Sequence, residues 1–126
     1  MYGRKDLTIL DLCSGLGGWT EAFVQHGWNV IRIENNPALQ YVPFTLELDV
    51  LKWEEWIDDI PHPDVIVASP PCLEFSDALQ APRIRARREG RPFEPDMSVV
   101  QACLDIIDYL KPRWQSSHLC HRDYQP

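Results

Sequence analysis

No apolar run in these 126 residues approaches the roughly 18 that a membrane-spanning helix needs. The opening MYGRKDLTIL carries no small-residue cleavage site of the secretory kind. The chain therefore reads as cytoplasmic, with no membrane partner. Close cysteine spacings are also missing: Cys13, Cys72, Cys103 and Cys120 stand far apart with no CxxC among them, which speaks against a disulfide framework. In a reducing compartment they are thiols. Nor is there an excess of positive charge. Twelve Lys and Arg against nineteen Asp and Glu leave a net charge of -7, which excludes a protein that grips nucleic acid over its whole surface and leaves room for a local basic patch. Internal repeats and low-complexity tracts are absent too. What is present is ordinary globular composition, 44% hydrophobic and 25% charged, in a length that suits one domain with a core of its own.

The apolar residues fall into short, regularly interrupted groups. Residues 7–12, LTILDL, read as a strand that stops at a glycine-rich turn over 14–18. Trp19, Ala22, Phe23 and His26 follow at helical spacing, and Gly27 stands where a left-handed residue would end that helix. Residues 28–34 alternate as a second strand and run into Asn35, Asn36 and Pro37, which are turn formers. A short extended stretch near residues 45–48 precedes a helix that would carry Trp53, Trp56, Ile57 and Ile60 on one face. Val65 to Ala68 is continuous and β-branched, as a strand buried on both sides requires. Residues 81–95 hold five arginines among three prolines and a glycine, and read as a basic loop without helical periodicity. After Asp96 or Ser98, either able to cap, Val99, Val100, Cys103, Leu104, Ile107 and Leu110 form one apolar helical stripe that Pro112 ends. Strands alternating with helices predict an α/β fold with a parallel sheet flanked by helices. The final QSSHLCHRDYQP has no apolar run for another buried strand, so a domain over residues 1–114 is expected to lack its fifth strand and to be followed by an irregular tail over 115–126.

Two places can carry chemistry. The first is DLCSGLGG, residues 11–18, between a strand and a helix start, where glycines let the backbone approach a ligand closely. A dinucleotide site would want GxGxxG, but counting from Gly15 the third position is Thr20, which argues against NAD. Glu34, at the end of the second strand, can take both hydroxyls of a ribose. A nucleoside cofactor without pyrophosphate fits better. S-adenosylmethionine would place its ribose at Glu34, its adenine amino group at Asp49 and its methionine end at the glycine loop. The plainer alternative is a simple turn with solvated acids at strand ends. The second place is SPPCLEFS, residues 69–76, at the carboxyl end of a strand, where open α/β sheets bind ligands. Cys72 is there either a buried thiol or a nucleophile with a lowered pKa, and the rigid Pro70-Pro71 lead-in suits an aimed side chain.

DLCSGLGG, then IEN, LDV and ASPPCLEFS, in that order and spacing, resemble the amino-terminal half of the cytosine-5 DNA methyltransferase family over roughly residues 7–114. The resemblance implies a Rossmann-like S-adenosylmethionine-dependent methyltransferase domain, incomplete at its carboxyl end. Cofactor contacts are implied at Asp11, Cys13, Ser14, Gly15, Leu16, Gly17, Gly18, Glu34, Asn35, Asp49, Val50, Ser69 and Pro70. It further implies that Cys72 attacks carbon 6 of a flipped cytosine, so that carbon 5 takes the methyl group and then loses its proton. DNA is the implied partner, through Ser76 and the basic Arg83, Arg85, Arg87, Arg88 and Arg91; a solvated charge run is the bland reading of those arginines.

Departures from the family pattern stand beside the matches. Cys13 replaces the usual Phe, Leu73 the common Gln, and Asn35 a bulkier residue over the adenine. Nothing after Trp114 resembles the Glu-Asn-Val motif, the Gln-x-Arg-x-Arg motif or a target-recognition region. A cofactor-binding fragment, or a subunit completed by a second polypeptide, is therefore the first alternative, and the same chemistry on RNA the second. His118, Cys120 and His121 lack a fourth partner and make no metal site. Binding of DNA through the arginine cluster should weaken steeply with added salt, which a binding titration at stepped ionic strength measures.

Overall fold

Residues 8–12, 29–33 and 65–68 carry aliphatic residues on both sides of an extended chain, so the sheet that they centre must be covered on both faces. The computed structural model describes residues 7–71, 81–90 and 96–117, those at 81–84 and 117 by their backbone alone. Its elements are β1 (Thr8–Leu12), α1 (Glu21–Gln25), β2 (Asn29–Ile33), β3 (Thr45–Leu46), β4 (Val65–Ala68), α2 (Ala81–Arg88), α3 (Ser98–Leu110) and β5 (Trp114–Ser117), with short 3-10 turns at Pro37–Leu39, Val50–Glu55 and Ile57–Asp59. The strands form one sheet in the order β3-β2-β1-β4-β5, and every pairing is parallel. This is the expected α/β Rossmann-like methyltransferase architecture. Chain order reverses at β1, whose neighbours are β2 and β4, and ligands of such sheets bind beyond the carboxyl ends of the strands at that switch point.

The two faces have separate cores. Leu10, Leu12, Ile33, Ile66 and Ala68 pack with Ala102, Cys103, Ile106 and Leu110 of α3, with Val50 and Ile57 of the 3-10 turns and with Trp56 between those turns. On the other face Ile9, Val30 and Val67 pack with Phe23, Val24 and Trp28, where the Phe23 and Trp28 rings meet edge to face at 4.9 Å. In-register pairing of Asp11 with Arg32 sets two charged side chains side by side on this second face.

Five local expectations are corrected. A fifth strand exists: β5 pairs with β4 from Val65 opposite Trp114 to Ala68 opposite Ser117, so the boundary expected at residue 114 falls inside a strand. An edge strand is held by backbone bonds and needs no apolar run, and Trp114, Gln115 and Ser116 are exposed; Trp114 lies under the guanidinium of Arg113. Residues 81–88 are helical rather than loop. Pro82 is tolerated in a first turn, the arginines and alanine are good helix formers, and Gly90 closes the end at φ +68°. The helix expected around Trp53 to Ile60 is two 3-10 turns, because Asp49 caps Leu51 at 2.9 Å and Lys52 departs from helical geometry. The first helix is shorter than expected, with Thr20 ahead of it and His26 closing it through Nδ1 to the Ala22 carbonyl at 2.7 Å.

The fifth correction concerns the face of α3. Val100, Ala102, Cys103, Ile106 and Leu110 are buried, while Leu104 is 43% exposed. The expected and observed stripes overlap, and spacing alone does not choose between them. The small Ala102 faces inward, and the Asp96 carboxylate accepts from the Ser98 amide just ahead of the helix at 2.9 Å. At the far end His62 Nε2 meets the Leu110 carbonyl at 2.7 Å. Ile106→Ala should cost about 2–5 kcal/mol and Leu104→Ala less than about 0.5 kcal/mol. Urea unfolding of the two variants measures the difference, and equal losses would mean that α3 presents the other stripe.

Candidate functional site

Beyond the carboxyl end of β1 the backbone turns twice within six residues, which requires left-handed conformations at Cys13 (φ +59°), Gly15 (φ +56°) and Gly17 (φ +79°). The Ser14 amide donates to the Ile33 carbonyl at 3.1 Å and the Gly17 amide to the Ser14 carbonyl at 2.9 Å. Glu34, just past β2, completes the turn. Its Oε1 accepts from the Gly15 amide at 2.9 Å and its Oε2 from the Asn36 amide at 3.0 Å. Each oxygen keeps a further lone pair for a ligand. The Glu34 carbonyl accepts from Gln40 Nε2 at 2.7 Å, so its backbone is held as well.

A second, buried layer lies beneath the loop. Asp11 is 1% exposed and accepts from the Thr20 hydroxyl at 2.8 Å. That hydroxyl accepts from Arg32 Nε at 3.0 Å. Arg32, also 1% exposed, donates through Nη1 to the Pro43 carbonyl and through Nη2 to the Gly17 carbonyl, each at 2.9 Å, and Nη2 meets Glu21 at 3.2 Å. Burial raises the Asp11 carboxyl to about 6, against the opposing pull of its Thr20 bond and of Arg32. Sequence reading missed Arg32. A charged residue in the middle of the apolar alternation VIRI was the available signal. Thr20, noted earlier only as a missing glycine, is fully buried and joins the two charges.

On the opposite face of the sheet a cleft opens to solvent, with a volume of about 420 Å³ including its mouth. Cys13, Glu34, Asn35, Asp49 and Val50 of the expected cofactor residues line it, together with Ile33, Leu48, Leu51, Pro71 and Val99. Residues of all four sequence motifs thus meet at one opening. Asp49 is fixed by its bond to the Leu51 amide, and its carbonyl accepts from the Trp56 indole at 3.0 Å. Cys13 and Cys103 are both free thiols. The hydrogen bond between them, followed by burial, pushes the Cys13 thiol well above the ordinary thiol range.

Other expected site residues lie elsewhere. The Asp11 carboxylate supports the loop from below and does not reach the cleft. Gly17 is buried against Arg32, whereas Gly15 has open space where a side chain would begin. Leu16 is 70% exposed, and Gly18 is exposed at the loop surface. Ser69 donates its amide to the Leu12 carbonyl at 3.0 Å, and Pro70 is buried beyond β4. Arg85, Arg87 and Arg88 are exposed on α2 around the buried Ala86. Cys72, Ser76, Arg91, His118, Cys120 and His121 lie outside the described residues, as does the side chain of Arg83. Among the described residues no helix is long and apolar enough to cross a membrane.

Comparison with known proteins adds an independent finding. The family model for C-5 cytosine-specific DNA methylase matches residues 7–114. Over 114 residues the chain is 28% identical to a probable DNA (cytosine-5)-methyltransferase of Frog virus 3 (isolate Goorha), covering 85% of this chain and 50% of that one. It is 32% identical over 81 residues to Type II methyltransferase M.HgiGI of Herpetosiphon aurantiacus, covering 57% of this chain and 64% of that one. The match thus takes in about half the length of the first relative and under two thirds of the second.

The raised Asp11 has a consequence for stability. Its folded-state pKa of about 6 lies above the ordinary 3.8, so the folded chain binds this proton more tightly than the unfolded one. Stability from this group therefore falls as pH rises from about 4 to about 6 and is level above that window, by about 3 kcal/mol at most. Asp11→Asn removes the titration. Urea midpoints of the two proteins measured between pH 4 and 7 should give a difference curve that falls across this window; a flat difference would mean that Asp11 is not desolvated.

Proposed function

This chain belongs to the C-5 cytosine-specific DNA methylase family, and we propose that it carries out the cofactor and nucleophile part of DNA cytosine-5 methylation. The observation that supports this most is the shared cleft, where Glu34, Asp49 and Pro71, the residue before Cys72, line one opening. S-adenosylmethionine fits the acceptors present. Glu34 offers free lone pairs to a ribose, Asp49 an acceptor to an adenine amino group, and Ile33, Leu48 and Val50 apolar walls to the ring. Among the described residues Ser14 Oγ is buried without a hydrogen-bond partner, and a polar cofactor end at the loop would satisfy it. When bound, S-adenosylmethionine supplies an electrophilic methyl group.

The remaining tasks fall to this chain's own residues. The Cys72 thiolate would add to carbon 6 of a cytosine taken out of the duplex, spending the carbon 5–carbon 6 double bond to make carbon 5 nucleophilic; once carbon 5 has been methylated, loss of its proton and of the Cys72 sulfur would restore that double bond and free the thiol. Arg83, Arg85, Arg87, Arg88 and Arg91, with Ser76, would meet the DNA backbone. Cys13 and Asn35 would line the cofactor side, while Asp11, Gly17 and Gly18 shape the loop that Leu16 and Gly15 present. The chain spans about half the length of its first relative, and in a second reading it binds cofactor without turning over.

Transfer of labelled methyl to unmethylated DNA by the folded chain tests the first reading, with Cys72→Ala as control. Transfer that survives in the control would remove Cys72 from the mechanism. Cofactor binding without transfer would favour the second reading. Cys72→Ala should also abolish covalent trapping on fluorocytosine DNA while leaving S-adenosylhomocysteine binding intact. Glu34→Ala should weaken that binding by about 1–3 kcal/mol, as calorimetry would record; an unchanged affinity would displace the ribose contact from Glu34.

A further inference from the structure

We propose that Arg32 is a positioning residue that sets the glycine loop for the methionine end of the cofactor, an inference that rests on the cofactor reading above. Two side chains near the end of β2 hold the loop at two points of opposite polarity. Glu34 accepts the Gly15 amide, and Arg32 donates to the Gly17 carbonyl. The same guanidinium reaches Thr20, Glu21 and the Pro43 carbonyl, so it ties the loop to the start of α1 and to the β2–β3 connection. Four of its five N–H donors are accounted for by these bonds.

Gly17 shows how closely the loop sits on this group. A Cβ at residue 17 would lie 2.5 Å from Arg32 Cζ, and the backbone there has φ +79°. The glycine is thus required by the guanidinium beneath it as well as by the turn. A lysine has the charge but not the planar fork, and one ammonium cannot serve a hydroxyl and two carbonyls that point from different segments. The adenine-facing residues Leu48, Asp49 and Val50 make none of the contacts recorded for Arg32. Loss of the guanidinium therefore shifts the loop and leaves the nucleoside end of the cleft as it was.

The test compares two ligands that share the nucleoside and differ in the amino-acid end. S-adenosylhomocysteine and adenosine are titrated calorimetrically into the wild-type chain, Arg32→Lys, Arg32→Met and Gly17→Ala, with circular dichroism confirming the fold. Each variant should lose about tenfold or more in affinity for S-adenosylhomocysteine and stay within about twofold of wild type for adenosine. Loss of both ligands in equal measure, or of neither, assigns Arg32 a purely structural role and overturns the inference. If Arg32→Met does not fold, the comparison passes to Arg32→Lys; if both arginine variants unfold, the inference falls. A wild-type chain that binds no S-adenosylhomocysteine overturns the cofactor reading itself, an outcome distinct from binding that the substitutions leave unchanged.

Discussion

A guanidinium buried between backbone segments must have its donors satisfied, because an unpaired buried charge costs far more than its pairing returns. Arg32 meets that demand by drawing the Gly17 loop, the Thr20 hydroxyl and the Pro43 carbonyl around itself. Much of the site follows. Residue 17 can have no side chain, residue 20 must be small and carry a hydroxyl, and the carboxyl of Asp11 must lie within reach of that hydroxyl. The in-register pairing of Asp11 with Arg32 is what makes this possible, so the β1–β2 ladder and the loop above it form one mechanical unit.

The sheet separates the buried polar support from the open cleft. One face carries the buried polar layer together with the small core of Ile9, Val30 and Val67 under α1. The other carries the larger core, with α3 and the 3-10 turns packed on Leu10, Leu12 and Ile66, and opens at its carboxyl end into the cleft. Glu34 belongs to both functions: its carboxylate holds Gly15 and lines the cleft. The position left open by the reversal of chain order at β1 is therefore shaped from below by charge and from the side by apolar packing. The thiol of Cys13 lies against Cys103 of α3, a link between loop and helix.

The parallel sheet, the glycine turn and the strand at Val65–Ala68 were legible because each has a local cause: β-branched runs, left-handed positions and alternation. Glu34, Asp49 and the approach to Cys72 were legible through motif spacing, and with Cys13 they line one cleft. β5 was not legible, since its bonds to β4 are backbone bonds and its described side chains are exposed. Nor was α2, where a proline in the first turn and a glycine just past the end look like loop residues until the helix is seen between them. Arg32 escaped because its role comes from partners that lie 11, 12 and 15 residues away in sequence.

By itself, the sequence determined the class of fold, the order of its units and the residue types available for chemistry, because periodicity and turn formation are properties of neighbouring residues. Tertiary structure decided which face of α3 is buried, which strand closes the described sheet, and which acid supports the loop rather than lining the cleft. Those choices depend on distant backbone groups meeting across the sheet, where a buried charge or an unpaired amide has only the partners that the fold brings to it.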